Sequence, residues 1–401
     1  MSSTSAPPDG GSVRVLVTGG DFPGALAAVR SLRRAGFAPW AVASRPSSYV
    51  SYSRAPAKVV LAPNVSRSAP EFVDIVARAC SDVDTAVVIP GTEADLVALV
   101  EWRHLLPESA IGIPATETLQ RVTDKSELAE CAVSVGFSTP PTKMINRATL
   151  EAWNFPYVVK PLRSVVRQGE RLSAISAAAV ATPSAALRFL DSLGTRDAVA
   201  QSLIRGRLHS LAGVMWNGRL LAPVQQVALS VFPRPCGGSA VARTVLVDPS
   251  IHERTEQLLR KLNWEGIVQL QWLDDGSELY VIDVNPRIYG SLALANAAGA
   301  PLAVIWTRLL LGLEIEETAS KADVVYRNFE TSLRSGGRVA AWPLKGRNGT
   351  TNSVFSLSDP APVLATVLRG ARKVRRDVRA IVRRTDDASV VDPSPRTESA
   401  D

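Results

Sequence analysis

The chain has little of what marks several functional classes. Its three cysteines, Cys80, Cys131 and Cys236, lie far apart and form no C-x-x-C pair. That argues against a disulfide framework and against a thiolate zinc site, and a reducing cytoplasm is the expected setting. No uninterrupted apolar run reaches the roughly 20 residues a membrane span needs. The opening MSSTSAPPDGGS has no basic region followed by an apolar one, so a signal peptide is not expected. With three histidines, no Ser-His-Asp or Cys-His arrangement is readable. There is no strict G-x-G-x-x-G and no internal repeat. The net charge of +7 is modest for 401 residues, and much of the excess sits near the C-terminus. It fits a polyphosphate ligand as well as nucleic acid, and no nucleic-acid partner is expected.

What is present is enough apolar residue, 46%, for real cores, and enough length for two or three lobes. Val13–Val17 (VRVLV) reads as a buried parallel strand. A glycine turn, Thr18 to Gly24, leads into a helix to about Ala35. A strand at 38–43, a helix at 70–80 and a strand at 85–90 follow. This alternation predicts a parallel, doubly wound sheet. The glycine turn lacks the acidic residue that would close the second strand of a dinucleotide site; Ser44-Arg45 stand there instead. Glu93 and Asp95 follow a strand end, where such sheets bind ligands. Acids enriched at a helix N-terminus are the competing reading.

The most informative stretch is 266–291, GIVQLQWLDDGSELYVIDVNPRIYGS. Two strands flank Asp274-Asp275-Gly276, which is turn chemistry. Period 2 puts Asp283 and Asn285 on one face, and folding about the turn brings Gln271 level with them. Oxygen-bearing side chains therefore converge, with Arg287 just beyond. Hard cations take such ligands together with water and substrate phosphates. Pro286 ends the strand, and Ser291 is placed to cap the helix after it. Upstream, Asp124-Lys125 opens a helix, and Tyr157-Val158-Val159-Lys160-Pro161 is a strand with a lysine near its end, suited to holding a phosphate.

Asp-Val-Asn-Pro-Arg, with a Gln on the paired strand, resembles the metal-binding hairpin of the ATP-grasp superfamily. The whole resemblance spans 13–313 and is similar to carboxylate–amine ligases with a carbamoyl-phosphate-synthetase-like ATP domain. It implies a mixed α/β and α+β architecture: an ATP-grasp fold behind an N-terminal Rossmann-like parallel-sheet domain. The implied divisions are a disordered 1–12, a Rossmann-like domain 13–115, an ATP-grasp domain 116–320 split at 200/201, a C-terminal strand and helix 321–384, and a disordered 385–401.

The resemblance also implies roles. Gln271, Asp283 and Asn285 would hold Mg²⁺ or Mn²⁺; Lys125 and Lys160 would hold ATP phosphates; Arg287 and Asn285 would be catalytic. Gln201, Ser202, Leu203 and Ile204 would grip adenine, and His209 would lie near the ribose. The flap 162–169, LRSVVRQG, departs from the family's glycine-rich pattern, which leaves Arg163 and Ser164 as its phosphate contacts. The implied activity is ATP-dependent joining of a small-molecule carboxylate to an amine. A Mg·ATP-binding regulator without turnover is the alternative. A homodimer is left open. Helix 363–384 carries one apolar and one strongly basic face. That suits weak peripheral contact with an anionic membrane, or a docked terminal helix with a solvated face.

Overall fold

The computed structural model describes residues 12–147, 149, 155–193, 198–334 and 346–368. The first lobe is a five-stranded parallel sheet built from β1 (Val13–Val17), β2 (Trp40–Ala43), β3 (Lys58–Leu61), β4 (Thr85–Ile89) and β5 (Ala110–Ile111). The order is β3-β2-β1-β4-β5. Leu16, Val17, Val87 and Val88 are fully buried, because helices cover both faces of the sheet. Strand order reverses between β1 and β4, which opens a crevice at their C-terminal ends.

The glycine turn after β1 is there for close packing. A Cβ on Gly24 would sit 2.4 Å from the Tyr289 carbonyl oxygen, and one on Gly91 would sit 2.0 Å from the Thr18 oxygen. Helix Pro23–Arg34 thereby lies against the end of the Asn-Pro-Arg hairpin.

The second lobe holds three sheets. β6 (Thr142–Ile145), β7 (Tyr157–Pro161), β10 (Ala178–Val180) and β11 (Ala198–Ser202) form one in the order β10-β7-β11-β6. β8 (Val165–Gln168) and β9 (Arg171–Ala174) form a separate hairpin. β12 (Arg207–Trp216), β13 (Arg219–Phe232), β14 (Gly238–Val245), β15 (Gly266–Asp274), β16 (Leu279–Asn285), β17 (Val325–Arg327) and β18 (Thr350–Asn352) form the third, in the order β16-β15-β12-β13-β14-β17-β18. The C-terminal strand expected from sequence is β17, which lies between β14 and the edge strand β18. The β12–β13 turn has Asn217 at φ 48° and Gly218 at φ 74°, the type I′ turn that Asn-Gly favours.

Residues 353–359 return to the first lobe. Arg30, 8% exposed, pairs with Asp359 at 2.9 Å and donates to the Val354 and Asp359 carbonyls. With all three guanidinium nitrogens satisfied, this buried charge is compensated. A helix over 363–368 follows; the rest of the expected basic helix and the tail lie outside the described residues. Among the described residues, no helix is long and apolar enough to cross a membrane.

One expectation changed. Ser291 precedes helix Leu292–Ala297 but makes no cap; its hydroxyl is taken by the buried Gln226 amide at 3.1 Å.

Candidate active site

The β15–β16 hairpin places its side chains by register. Gln271 lies directly opposite Asp283, and Gln269 opposite Asn285. On the turn side of the Gln271–Asp283 pair the ladder slips: Trp272 pairs with Val281, so Ile282 is a bulge residue. A bulge re-aims its neighbours. Here it frees the Ile282 carbonyl, which accepts a hydrogen bond from Lys160 Nζ at 3.2 Å. Asp124 caps helix Lys125–Ser134, accepting from the backbone of Ser126 and Glu127 at 2.8 and 3.1 Å. That fixes Lys125, whose Nζ lies 3.2 Å from Asp283 Oδ1. Both lysines therefore meet the hairpin, one at a carboxylate and one at a carbonyl.

Arg287 donates to Asn285 Oδ1 at 2.9 Å and to the Ile288 carbonyl at 2.6 Å. Asn285 in turn donates to Gln269 Oε1 at 3.3 Å, and Gln269 donates to Ser210 at 3.1 Å. Buried polar side chains need such partners. The Ile288 amide donates to the Pro90 carbonyl at 3.4 Å, tying this end of the hairpin to the crevice of the first lobe.

These groups line a cavity of about 1280 Å³ between the lobes. Charge shapes their titration. Burial pushes the Asp283 carboxyl up, but Lys125, Lys160 and Arg287 more than offset this and hold it below the usual carboxylate range. Burial pulls Lys125 down, and Asp283 and Glu93 overcome that, so it stays charged. Lys160 is pulled down to about 8 by burial and by the Lys125 charge, against Asp283. Burial raises Glu93, partly offset by Arg287. Asp95 is raised to about 6 by burial, against its hydrogen bond from Thr18 at 2.8 Å.

Lys125, Lys160, Ser164, Gln201, Ser202, Leu203, Ile204, Gln271, Asp283, Asn285 and Arg287 all line this one cavity. Arg163 and His209 do not. His209 stacks on Trp272, ring centroids 5.7 Å apart, and faces Asp274. Alternation along β12 gives the cavity side to Leu208 and sends His209 the other way. Burial lowers its pKa against the pull of Asp274.

The cavity also takes residues the sequence gave no strong reason to name: Asp21, Ser44, Asn64, Arg205, Arg207, Arg234 and Cys236. Asp21, Ser44 and Asn64 follow β1, β2 and β3, so the strand-end rule that singled out Glu93 and Asp95 would have found them too.

The flap is the β8–β9 hairpin, and it is docked on the first lobe. Leu172, 1% exposed, packs in the same apolar cluster as Phe72 and Leu96. Its amide donates to the Val65 carbonyl at 2.9 Å, and the Ala69 amide donates to the Glu170 carbonyl at 2.9 Å. Arg167 pairs with Glu101 at 3.3 Å and lies 4.9 Å from the Trp102 ring. Interlobe contacts here take the place of glycine-rich backbone.

For a hard cation, Gln271 and Asp283 present an all-oxygen pair on neighbouring strands, which fits Mg²⁺ better than a softer metal. Asn285 Oδ1 is engaged by Arg287. Among the described residues, no three His, Cys, Asp or Glu side chains gather as a metal cage. Such a site needs phosphate oxygens and water to complete it.

Residues 214–332 match the family model described as ATP-grasp in the biosynthetic pathway with Ter operon. Carbamoyl phosphate synthase large chain from Vibrio cholerae is 23% identical over 239 residues, 54% of this chain and 21% of that protein. The chain thus spans about a fifth of the length of the curated relatives it matches. Among solved structures, L-amino acid ligase from Bacillus licheniformis is similar at TM-score 0.58 and 16% identity, covering 78% of each chain. N5-carboxyaminoimidazole ribonucleotide synthetase from Thermus thermophilus is similar at TM-score 0.56 and 16% identity, covering 76% of this chain and 80% of that one. Biotin carboxylase from Campylobacter jejuni aligns at TM-score 0.57 and 14% identity, over 78% and 74%. The family model thus covers the stretch that holds the hairpin, and the chain has the fold of these solved structures.

Proposed function

We propose that the protein is an ATP-dependent carboxylate–amine ligase working through an acyl phosphate. The observation that carries this reading is the convergence of Lys125, Lys160, Gln271, Asp283 and Arg287 on one interlobe cavity. The synthase, ligase and synthetase among the similar proteins support it. The lobes at 13–115 and 116–320 would divide the work, the first taking the acid and the second the nucleotide.

In this reading Gln201 to Ile204 flank the adenine, and Lys125 and Lys160 neutralise the phosphates, with Ser164 and the flap above them. Gln271 and Asp283, with Asn285 beside them, would hold Mg²⁺, which supplies charge neutralisation at the phosphates. A carboxylate oxygen of the substrate attacks the γ-phosphorus. The bond from that phosphorus to the bridging oxygen breaks, and ADP leaves with the electron pair. Phosphoryl transfer depends on positioning and charge more than on covalent groups of the protein. Arg287 faces the charge that builds on the transferring group. The amine nitrogen then attacks the acyl carbon, the carbon–oxygen bond to phosphate breaks, and the nitrogen gives up a proton to leave an amide. Arg163 and His209, off the cavity, have no part in this sequence.

The test is ADP release with Mg·ATP and pooled small carboxylic acids and amines, with mass spectrometry of the products. Acid-dependent ADP release with a new amide is expected. Tight Mg·ATP binding with no ADP release from any pool would replace this reading with that of a nucleotide-binding regulator.

A further inference from the structure

We infer that the C-terminal stretch docks the protein on an anionic lipid surface, through apolar side chains exposed at 355–368 and the basic residues that follow them. Among the described residues, ten large apolar side chains are exposed, and half of them fall within 355–368. They are Phe355 (45% exposed), Leu357 (88%), Leu364 (52%), Val367 (56%) and Leu368 (38%). Scattered exposed apolar residues are ordinary, but a concentration in one short stretch marks a contact surface.

The stretch is anchored, so this face is held outward. The Arg30–Asp359 pair at 2.9 Å fixes its middle to the first lobe. Ala365, 0% exposed, packs with Leu26, Tyr49 and Val354. Thr366, 6% exposed, lies 3.5 Å from the Tyr49 hydroxyl through its own. Ala365 and Thr366 take the inner side of helix 363–368. Leu364, Val367 and Leu368, spaced i, i+3 and i+4, share the outer side. The helix thus turns small residues to the protein and large apolar ones to solvent, the reverse of an ordinary surface helix.

Charge identifies what covers this face. Residues 369–384, outside the described residues, hold eight Lys and Arg against one Asp, a balance of +7. That equals the net charge of the whole chain, so the remainder is electrically balanced. In sequence, Ala371, Val374, Val378 and Val382 continue the three- and four-residue steps of the exposed face. Basic residues beside an apolar stripe suit an anionic bilayer, whose headgroups meet the charge and whose acyl boundary takes the stripe. Duplex nucleic acid would meet the charge but offers nothing to the five apolar side chains. A second copy of the chain would bring the same positive charge and be repelled.

The experiment is flotation of the full chain with vesicles of phosphatidylcholine, alone or with about 30% phosphatidylglycerol, at about 0.1 and about 0.5 M NaCl. Flotation is expected with the anionic vesicles at the lower salt. It should fall at least about fivefold at the higher salt and on the neutral vesicles. The combined variant Leu364→Gln, Val367→Gln, Leu368→Gln should bind about tenfold more weakly or less, with its unfolding midpoint and ADP release kept, since these side chains face outward. Leu357→Gln alone, at a side chain too exposed to support the fold, should weaken binding by about threefold and decides the matter if the combined variant misfolds. Absence of flotation on anionic vesicles, equal flotation on neutral ones, or flotation untouched by both variants overturns the inference. So does tighter binding of a DNA duplex of about 20 base pairs that the variants leave unchanged. Dimerisation that the apolar substitutions abolish would assign the face to a second copy and overturn it as well. A protein without ligase activity would still float, so the outcome is independent of the ligase reading.

Discussion

Replacing Leu172 with alanine should loosen the hairpin over the phosphate end of the cavity. Leu172 of the second lobe is 1% exposed, in an apolar cluster that also holds Phe72 and Leu96 of the first. A core Leu→Ala change costs about 2–5 kcal/mol. Here the hairpin can swing out and let the site close, so the lower end applies, about 2–3 kcal/mol. That shifts docked against undocked flap by roughly 30- to 150-fold. The two backbone bonds to Val65 and Ala69 and the Arg167–Glu101 pair remain, but the first two are lost together with docking and the last is half-exposed and worth little. Two assays read the effect. Trypsin cleavage at Arg167 or Arg171 should speed up at least tenfold, and the apparent KM for ATP should rise by a similar factor. Because the first lobe's own strands and helices keep their contacts, its unfolding midpoint should drop by only a few degrees. Unchanged cleavage and unchanged KM would refute the idea that interlobe docking replaces the glycine-rich flap.

Two further predictions concern the site itself. Lys160 titrates near 8 because burial and Lys125 disfavour its charge. Since the unfolded chain keeps this lysine protonated to higher pH, the fold binds fewer protons between about 8 and the ordinary lysine range, and this group's contribution to stability rises with pH there. Nucleotide phosphates reverse the effect, so ATP binding at pH 8.5 should take up protons, seen as a buffer-dependent heat in calorimetry; Lys160→Gln should remove that uptake, and a buffer-independent heat in the wild type would contradict the assignment. His209→Phe should leave the KM for ATP within about twofold, because the ring stacks on Trp272 outside the cavity; a tenfold rise would put the imidazole back at the nucleotide.

What could be read from sequence was what local rules determine. The hairpin is one example: turn residues fix its register, register fixes which residues face each other, and so Gln271 and Asp283 meet as expected. The parallel sheet followed from apolar runs alternating with helices. Lys160 was named from its strand context and Lys125 from the family resemblance, and the fold brings both to the hairpin.

The rest depended on partners distant in the chain. Which side of β12 faces the cavity decides Leu208 over His209, and nothing in the β12 sequence announces it. Ser291 looked like a cap because its partner, Gln226, comes from another strand. The flap's docking needed Val65, Phe72 and Glu101, more than sixty residues upstream in the case of Arg167 and Glu101. The Arg30–Asp359 pair joins opposite ends of the chain.

The central claim is that the β15–β16 hairpin and two lysines form a magnesium–nucleotide site. Calorimetric titration of ATP into wild type and Asp283→Ala, each with and without Mg²⁺, tests it most directly. The account predicts Mg²⁺-strengthened binding in the wild type and loss of that Mg²⁺ dependence in the variant, by on the order of tenfold or more in affinity. Equal Mg²⁺-dependent affinity in a folded Asp283→Ala protein would contradict it.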